Sequence, residues 1–164
     1  MGDKAILEDR LQDGLEIVFC GTAVGEASAL KGAYYAGPRN CFWRTLAETG
    51  ITPRQLLPEE YANLEDFRCG LTDLVKRCSG NDKELSRADF DCSTLRRKIL
   101  MHAPHIVAFT SKRAAREFLG RKVEYGLQPE RIGATRIFVL PSPSGMARRW
   151  WSLRPWQELA RMRD

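Results

Sequence analysis

Two stretches hold the side chains best suited to chemistry. Residues 19–37 read FCGTAVGEASALKGAYYAG, and residues 141–151 read PSPSGMARRWW. In the first, the small residues around Gly21, Thr22, Ala23 and Gly25 let a ligand approach the backbone, whose N–H groups can bind an oxygen-rich group. The pattern is neither G-x-G-x-x-G nor G-K-[ST], so it argues only weakly for a nucleotide cofactor. Tyr34 and Tyr35 offer faces on which a base could stack, or rings that pack against the sheet edge. In the second, prolines stiffen a turn in which Ser142 and Ser144 supply hydroxyls and Gly145 precedes an apolar tip, Met146. Arg148 and Arg149 follow. That suits a phosphate backbone with an apolar wedge beside it. Taken alone, the stretch reads more readily as an ordinary Pro/Ser turn with a solvated basic flank.

Composition narrows the classes. The net charge of +5 is a modest signal for a polyanionic partner. The 5 cysteines (Cys20, Cys41, Cys69, Cys78, Cys92) form no C-x-x-C pair, which argues for buried thiols in a reducing, cytoplasmic setting. With 2 histidines, both in HAPH ahead of an apolar run, zinc chemistry and Ser-His catalysis are poorly supplied, and no metal site is expected. No apolar run approaches the roughly 18 residues of a membrane span.

The elements that must carry these loops follow from the apolar pattern. LEIVFCG predicts a strand over 15–20 that breaks at Gly21. PRNCFWRTLAETG has helical spacing closed by Gly50. Thr52 is a possible cap for a short helix before Phe67, GLTDLV at 70–75 is strand-like, and Ser93 caps a helix over 94–102. HIVAFT is the next buried strand, SKRAAREFLG a helix between Ser111 and Gly120, TRIFVLP the last strand and WQELARMR a final helix. Alternating strands and helices predict one α/β domain over residues 1–164, with a mostly parallel sheet covered on both faces. Such sheets bind ligands at the carboxyl ends of their strands, where both loops leave. A base pocket in one and a basic apolar wedge in the other fit one task, drawing a nucleotide out of a duplex.

Four stretches, FCG-x-x-x-G, GPRNCFW, FRCGLTDLV and VLPSPSGMARR, resemble in order and spacing the mismatch-specific branch of the uracil-DNA glycosylases. The resemblance runs over roughly residues 15–150. It implies a three-layer α/β/α sandwich, a monomer, and a partner in single- or double-stranded DNA containing uracil. The implied reaction is hydrolysis of the base–deoxyribose bond with no cofactor. It also implies that Thr22 and Ala23 read the flipped pyrimidine through backbone amides and that Tyr35 stacks on it. Met146 would fill the hole left in the duplex, with Arg148 nearby. Two amides usual in that branch are missing: Ala23 stands where an Asn positions water, and Ser142 where the second motif opens with Asn.

A carboxylate could take the missing role by orienting water and offsetting charge on the sugar. Asp73, between Leu71 and Leu74, is the leading candidate, against a plain turn or cap carboxylate. Glu26, three residues past Ala23, is second, against a salt bridge to Lys31. Asp82 reads as a turn residue, and Asn40 as a residue that ties the first loop down through its amide. Tyr34 and Tyr35 beside the pocket would crowd the methyl of thymine and favour uracil. The alternatives are a scaffold that grips lesions without cleaving them, and, more remotely, a nucleotide-binding enzyme built on GTAVG.

Overall fold

The computed structural model describes residues 5–79 and 85–163; Asp82 lies outside them. In chain order the elements are β1 (Ile17–Val24), α1 (Glu26–Lys31), α2 (Phe42–Glu48), a 3₁₀ helix (Pro58–Phe67), β2 (Cys69–Ser79), a 3₁₀ turn (Arg87–Asp89), α3 (Cys92–His102), β3 (Ile106–Phe109), α4 (Lys112–Leu119), β4 (Gly126–Ile132), β5 (Thr135–Val139), a 3₁₀ helix (Gly145–Trp150) and α5 (Arg154–Arg161). The strands form one sheet in the order β2-β1-β3-β5-β4. All neighbours are parallel except the β4–β5 hairpin.

The period-2 alternation of the strands divides the core in two. Ile17 and Phe19 of β1, Leu71 of β2 and Phe138 of β5 face α2 and α5, where Phe42, Leu46, Trp156 and Leu159 are buried. Val18 and Cys20 of β1, Val107 of β3 and Val139 of β5 face α3 and α4, where Leu95, Ile99, Ala115 and Phe118 close the second layer. The result is a three-layer α/β/α sandwich, as the alternation predicts.

Several boundaries differ from the sequence reading. β1 does not break at Gly21 but runs to Val24, because β2 continues to pair with it there. The strand-like segment at 70–75 is part of a longer strand, Cys69–Ser79. Helix α3 starts at Cys92, and Asp91 rather than Ser93 caps it by accepting from Thr94 N–H at 3.2 Å. The helix before Phe67 is a 3₁₀ helix starting at Pro58, and Thr52 spends its hydroxyl on the Arg54 carbonyl instead of capping it. Ser111 does cap α4, and Gly120 ends it in the left-handed conformation. Strand β4 was not foreseen: Pro129 and alternating charges mask it, and an edge position tolerates both. At the opposite edge the N-terminal segment lies along β2, with Ile6 N–H bonded to the Lys76 carbonyl at 2.8 Å and Arg10 N–H to the Leu71 carbonyl at 2.9 Å.

Candidate active site

Three polar groups converge over Gly21: buried Asp73 from within β2, buried Thr110 just past the end of β3, and the hydroxyl of half-buried Tyr35. A Cβ placed on Gly21 would lie 2.7 Å from Asp73 Oδ1, 3.3 Å from Tyr35 Oη and 3.5 Å from Thr110 Oγ1. Glycine is therefore required at position 21 by close approach, not by backbone conformation. Asp73 sits opposite Gly21 in the parallel ladder, where the Gly21 backbone favours its charged form. It points to the same face as Leu71 because the two are separated by one residue of strand.

Asp73 is only 6% exposed. Burial pushes its carboxyl up to about 6, against the partial compensation of Lys76 and the Gly21 N–H. Its Oδ2 has no hydrogen-bond partner, and the Lys76 ammonium stands off at 4.0 Å. A buried carboxylate with an oxygen that has no hydrogen-bond partner, titrating near neutrality, is equipped to accept a proton.

Tyr35 is placed with unusual care. Its φ of 50° lies in the left-handed region, which a bulky residue rarely enters. Its neighbours are clamped on both sides. The Tyr34 carbonyl accepts from Trp43 Nε1 at 3.0 Å, and Ala36 N–H donates to Ser28 Oγ at 2.9 Å. The Tyr35 ring then stacks on Phe42 with centroids 3.9 Å apart and planes at 21°. Its hydroxyl meets Thr110 Oγ1 at 3.0 Å, and Thr110 in turn donates to the Cys20 carbonyl at 3.4 Å. Burial raises the Tyr35 phenol far above its ordinary range, so it stays a neutral hydrogen-bonding group.

Tyr34 corrects the reading that both tyrosines flank a base. It is 2% exposed, packs edge-on against Tyr61, and donates its hydroxyl to the Glu8 carbonyl at 2.9 Å. Its ring is core. Asn40 holds the segment between the tyrosines and α2 by accepting from Phe42 N–H at 2.9 Å, which makes it a local tie. Glu26 opens α1 with an exposed side chain, outside the buried cluster, and Lys31 donates to the Ala36 carbonyl at 3.3 Å. Thr22 and Ala23 are half-buried on β1, beyond the last β3 pairing at Cys20–Phe109.

The second loop is seated on the same segment. The Pro143 carbonyl accepts from Cys41 N–H at 3.0 Å, and a Cβ on Gly145 would lie 2.5 Å from that of Arg39. Ser142 Oγ accepts from Ser144 N–H, and Ser144 Oγ from Met146 N–H, each at 3.2 Å. These serines shape the turn that delivers Met146, which is 74% exposed, with Arg148 and Arg149 exposed behind it. GPRNCFW thus bridges the two loops: Phe42 backs the Tyr35 ring while Arg39 and Cys41 hold the Met146 turn.

A family model for the uracil DNA glycosylase superfamily matches residues 8–164. The chain belongs to that superfamily. A solution structure of a candidate uracil DNA glycosylase from Methanosarcina acetivorans is 22% identical, with a TM-score of 0.61 over 97% of this chain and 94% of that one. At that identity the likeness speaks for the fold. Against the superfamily frame, sequence reasoning missed Thr110, Lys76 and Asp9. Thr110 ends a strand like any capping Thr, and the two charged residues join the cluster only through β2 and the N-terminal segment.

Proposed function

We propose that this member of the superfamily is a monofunctional uracil-DNA glycosylase of the mismatch-specific branch, acting as a cytoplasmic monomer without metal or cofactor. The observation that carries the reading is Asp73: a buried carboxylate with an unused oxygen, beside Gly21 and Tyr35, at the strand ends where this fold binds ligands. Ala23 and Asp73 project toward one face of the sheet, since Ala23 follows Gly21 by two residues of strand. Asp73 can therefore take over from the Asn that Ala23 replaces.

In this mechanism DNA surrenders a uracil to the space over Gly21. The Tyr35 ring, braced by Phe42, stacks on it, and Met146 enters the gap in the duplex. Backbone amides at Thr22 and Ala23 stabilise the departing uracil anion. The Asp73 carboxylate orients a water and takes its proton as the oxygen bonds to C1′. The C1′–N1 bond breaks with its electron pair on the base, leaving an abasic site. The positive charge developing on the sugar is offset by the same carboxylate.

The test uses end-labelled oligonucleotides with one uracil, single-stranded or opposite G or A, incubated with chelator and then cleaved at abasic sites by alkali. Product strands are expected. Binding without product would replace this reading with that of a lesion-binding scaffold, which the absence of both motif amides would then explain. Neither product nor binding would overturn both. The thymine methyl must find room in the close-packed space around Gly21, Asp73 and Thr110, so uracil opposite G is expected to be released at least about tenfold faster than thymine. Equal rates would refute that source of selectivity.

A further inference from the structure

Around Asp73 lies a second cluster of charges that hydrolysis alone does not call for. Asp9, on the segment flanking β2, is hydrogen-bonded by Thr72 Oγ1 at 2.7 Å, by Lys76 Nζ at 2.9 Å and by Lys98 Nζ from α3. These partners outweigh the effect of burial and hold the Asp9 carboxyl below its usual range. Lys76 also donates to Tyr34 Oη at 3.1 Å. Its position is set by the backbone: pairing of β2 with β1 jumps from Val75 to Ser79, and such irregularities re-aim side chains. With Asp9 and Tyr34 both engaged, the ammonium stops 4.0 Å short of Asp73 Oδ2, beyond hydrogen-bond reach.

We propose that Asp9 is a positioning residue that withholds Lys76 from Asp73, leaving Oδ2 free of a direct ion pair and able to take a proton while the ammonium still supports the carboxylate's charge. This rests on the glycosylase reading of Asp73. Without Asp9 the flexible lysine closes the remaining gap, because a buried carboxylate is its strongest available partner. A direct ion pair would occupy Oδ2 and make Asp73 a weaker base. The groups facing Asp73 support this balance from every side. Lys76 shares its strand, Asp9 comes from the N-terminal segment and Lys98 from α3; the Gly21 N–H and Cys20 thiol belong to β1. Tyr34 and Tyr35 come from the loop, and Thr110 directly follows β3.

The sign of each change follows. Removing the Asp9 charge leaves two ammonium groups nearest one carboxylate, and Asp73 must titrate lower. Removing Lys76 must raise it. The experiment is the pH profile of uracil release at saturating DNA for the wild type, Asp9→Asn, Lys76→Met and the double variant, with the Asp73 carboxyl titrated by carbon-13 NMR in each free protein. In Asp9→Asn the acid limb and the titration should both move down by about a unit or more, and the plateau rate should fall about tenfold or more. In Lys76→Met both should move up. The double variant should recover most of the plateau lost by Asp9→Asn, because Lys76, the ammonium 4.0 Å from Oδ2, is no longer there to occupy it. An unshifted or upward titration in Asp9→Asn, or a double variant no faster than Asp9→Asn, overturns the proposal. Because the NMR titration needs no turnover, it tests the charge balance even if Asp73→Asn proves fully active, the result that would sink the catalytic reading instead. Should Asp9→Asn fail to fold, Lys98→Met with Asp9 intact must raise the Asp73 titration, and no rise would count equally against the balance.

Discussion

Asp73 carries its charge where burial makes that charge expensive, which makes the catalytic role proposed for it testable against a structural one. Its carboxyl is raised from 3.8 to about 6, roughly two units, or about 3 kcal/mol of ionisation penalty in the folded state. The folded protein therefore binds the proton more tightly than the unfolded chain. Stability from this group is fully present below pH 3.8, declines as pH rises to about 6, and is level above. Asp73→Asn should abolish or greatly slow base release. It should also raise stability at pH 8 by up to about 3 kcal/mol in urea melts and flatten the decline across that window. A variant destabilised by more than about 1 kcal/mol at pH 8 would mark Asp73 as a structural acceptor. For the wild type, release should rise with pH through about 6 and then stay level.

At the scale of elements, the turn bearing Met146 works only if it stays seated on Arg39 and Cys41. Gly145 is the close-packed point of that contact. Gly145→Ala forces its new carbon against the Arg39 side chain and carbonyl, an overpacking change of about 1–3 kcal/mol. The expected signature is a larger loss of uracil release from duplex than from single strands, since single strands leave no gap to fill. Met146→Ala should show the same asymmetry without the loss of stability. Equal losses on both substrates would detach this turn from base extrusion.

Across the whole molecule, α5 links the last loop to the first. Trp156 is fully buried, stacks near Phe19 at 6.0 Å, meets Phe42 edge-on at 5.9 Å, and donates Nε1–H to the Pro141 carbonyl at 3.2 Å. One side chain thus supports both the ring behind Tyr35 and the root of the second loop. Trp156→Ala should cost about 3–5 kcal/mol in thermal or urea melts, and any folded fraction should lose activity beyond its loss of folded population. A cost below about 1 kcal/mol would show the core closes without it. The excess of positive charge predicts DNA affinity that falls steeply with salt. Arg148→Ala and Arg149→Ala should each reduce the slope of log affinity against log salt by about 1 if they hold phosphates. An unchanged slope would place them outside the interface.

What the sequence determined by itself was whatever local pattern can specify. The β-branched and aromatic runs IVFC, IVAF and TRIFV pick out the core strands because burial on both faces leaves them nearly continuous. Ser111 and Gly120 bound α4 through local capping. Four short motifs in order were enough to point to the superfamily, and Asp73 stood out as an acid in an apolar strand. Other features required the tertiary structure, because they depend on contacts between residues far apart in the chain. Adjacent tyrosines parted, Tyr34 into the core against Tyr61 and the Glu8 carbonyl, Tyr35 over Gly21 with its hydroxyl on Thr110. The strand ran on through Gly21 because β2, some fifty residues later, keeps pairing with it, Gly21 with Asp73 and Ala23 with Val75. Asp9 and Lys98 reached the same charge cluster from opposite ends of an 89-residue separation. Periodicity and propensity encode which way a residue faces its own element; they are silent on which distant group meets it there, and the chemistry of this site is made of such meetings.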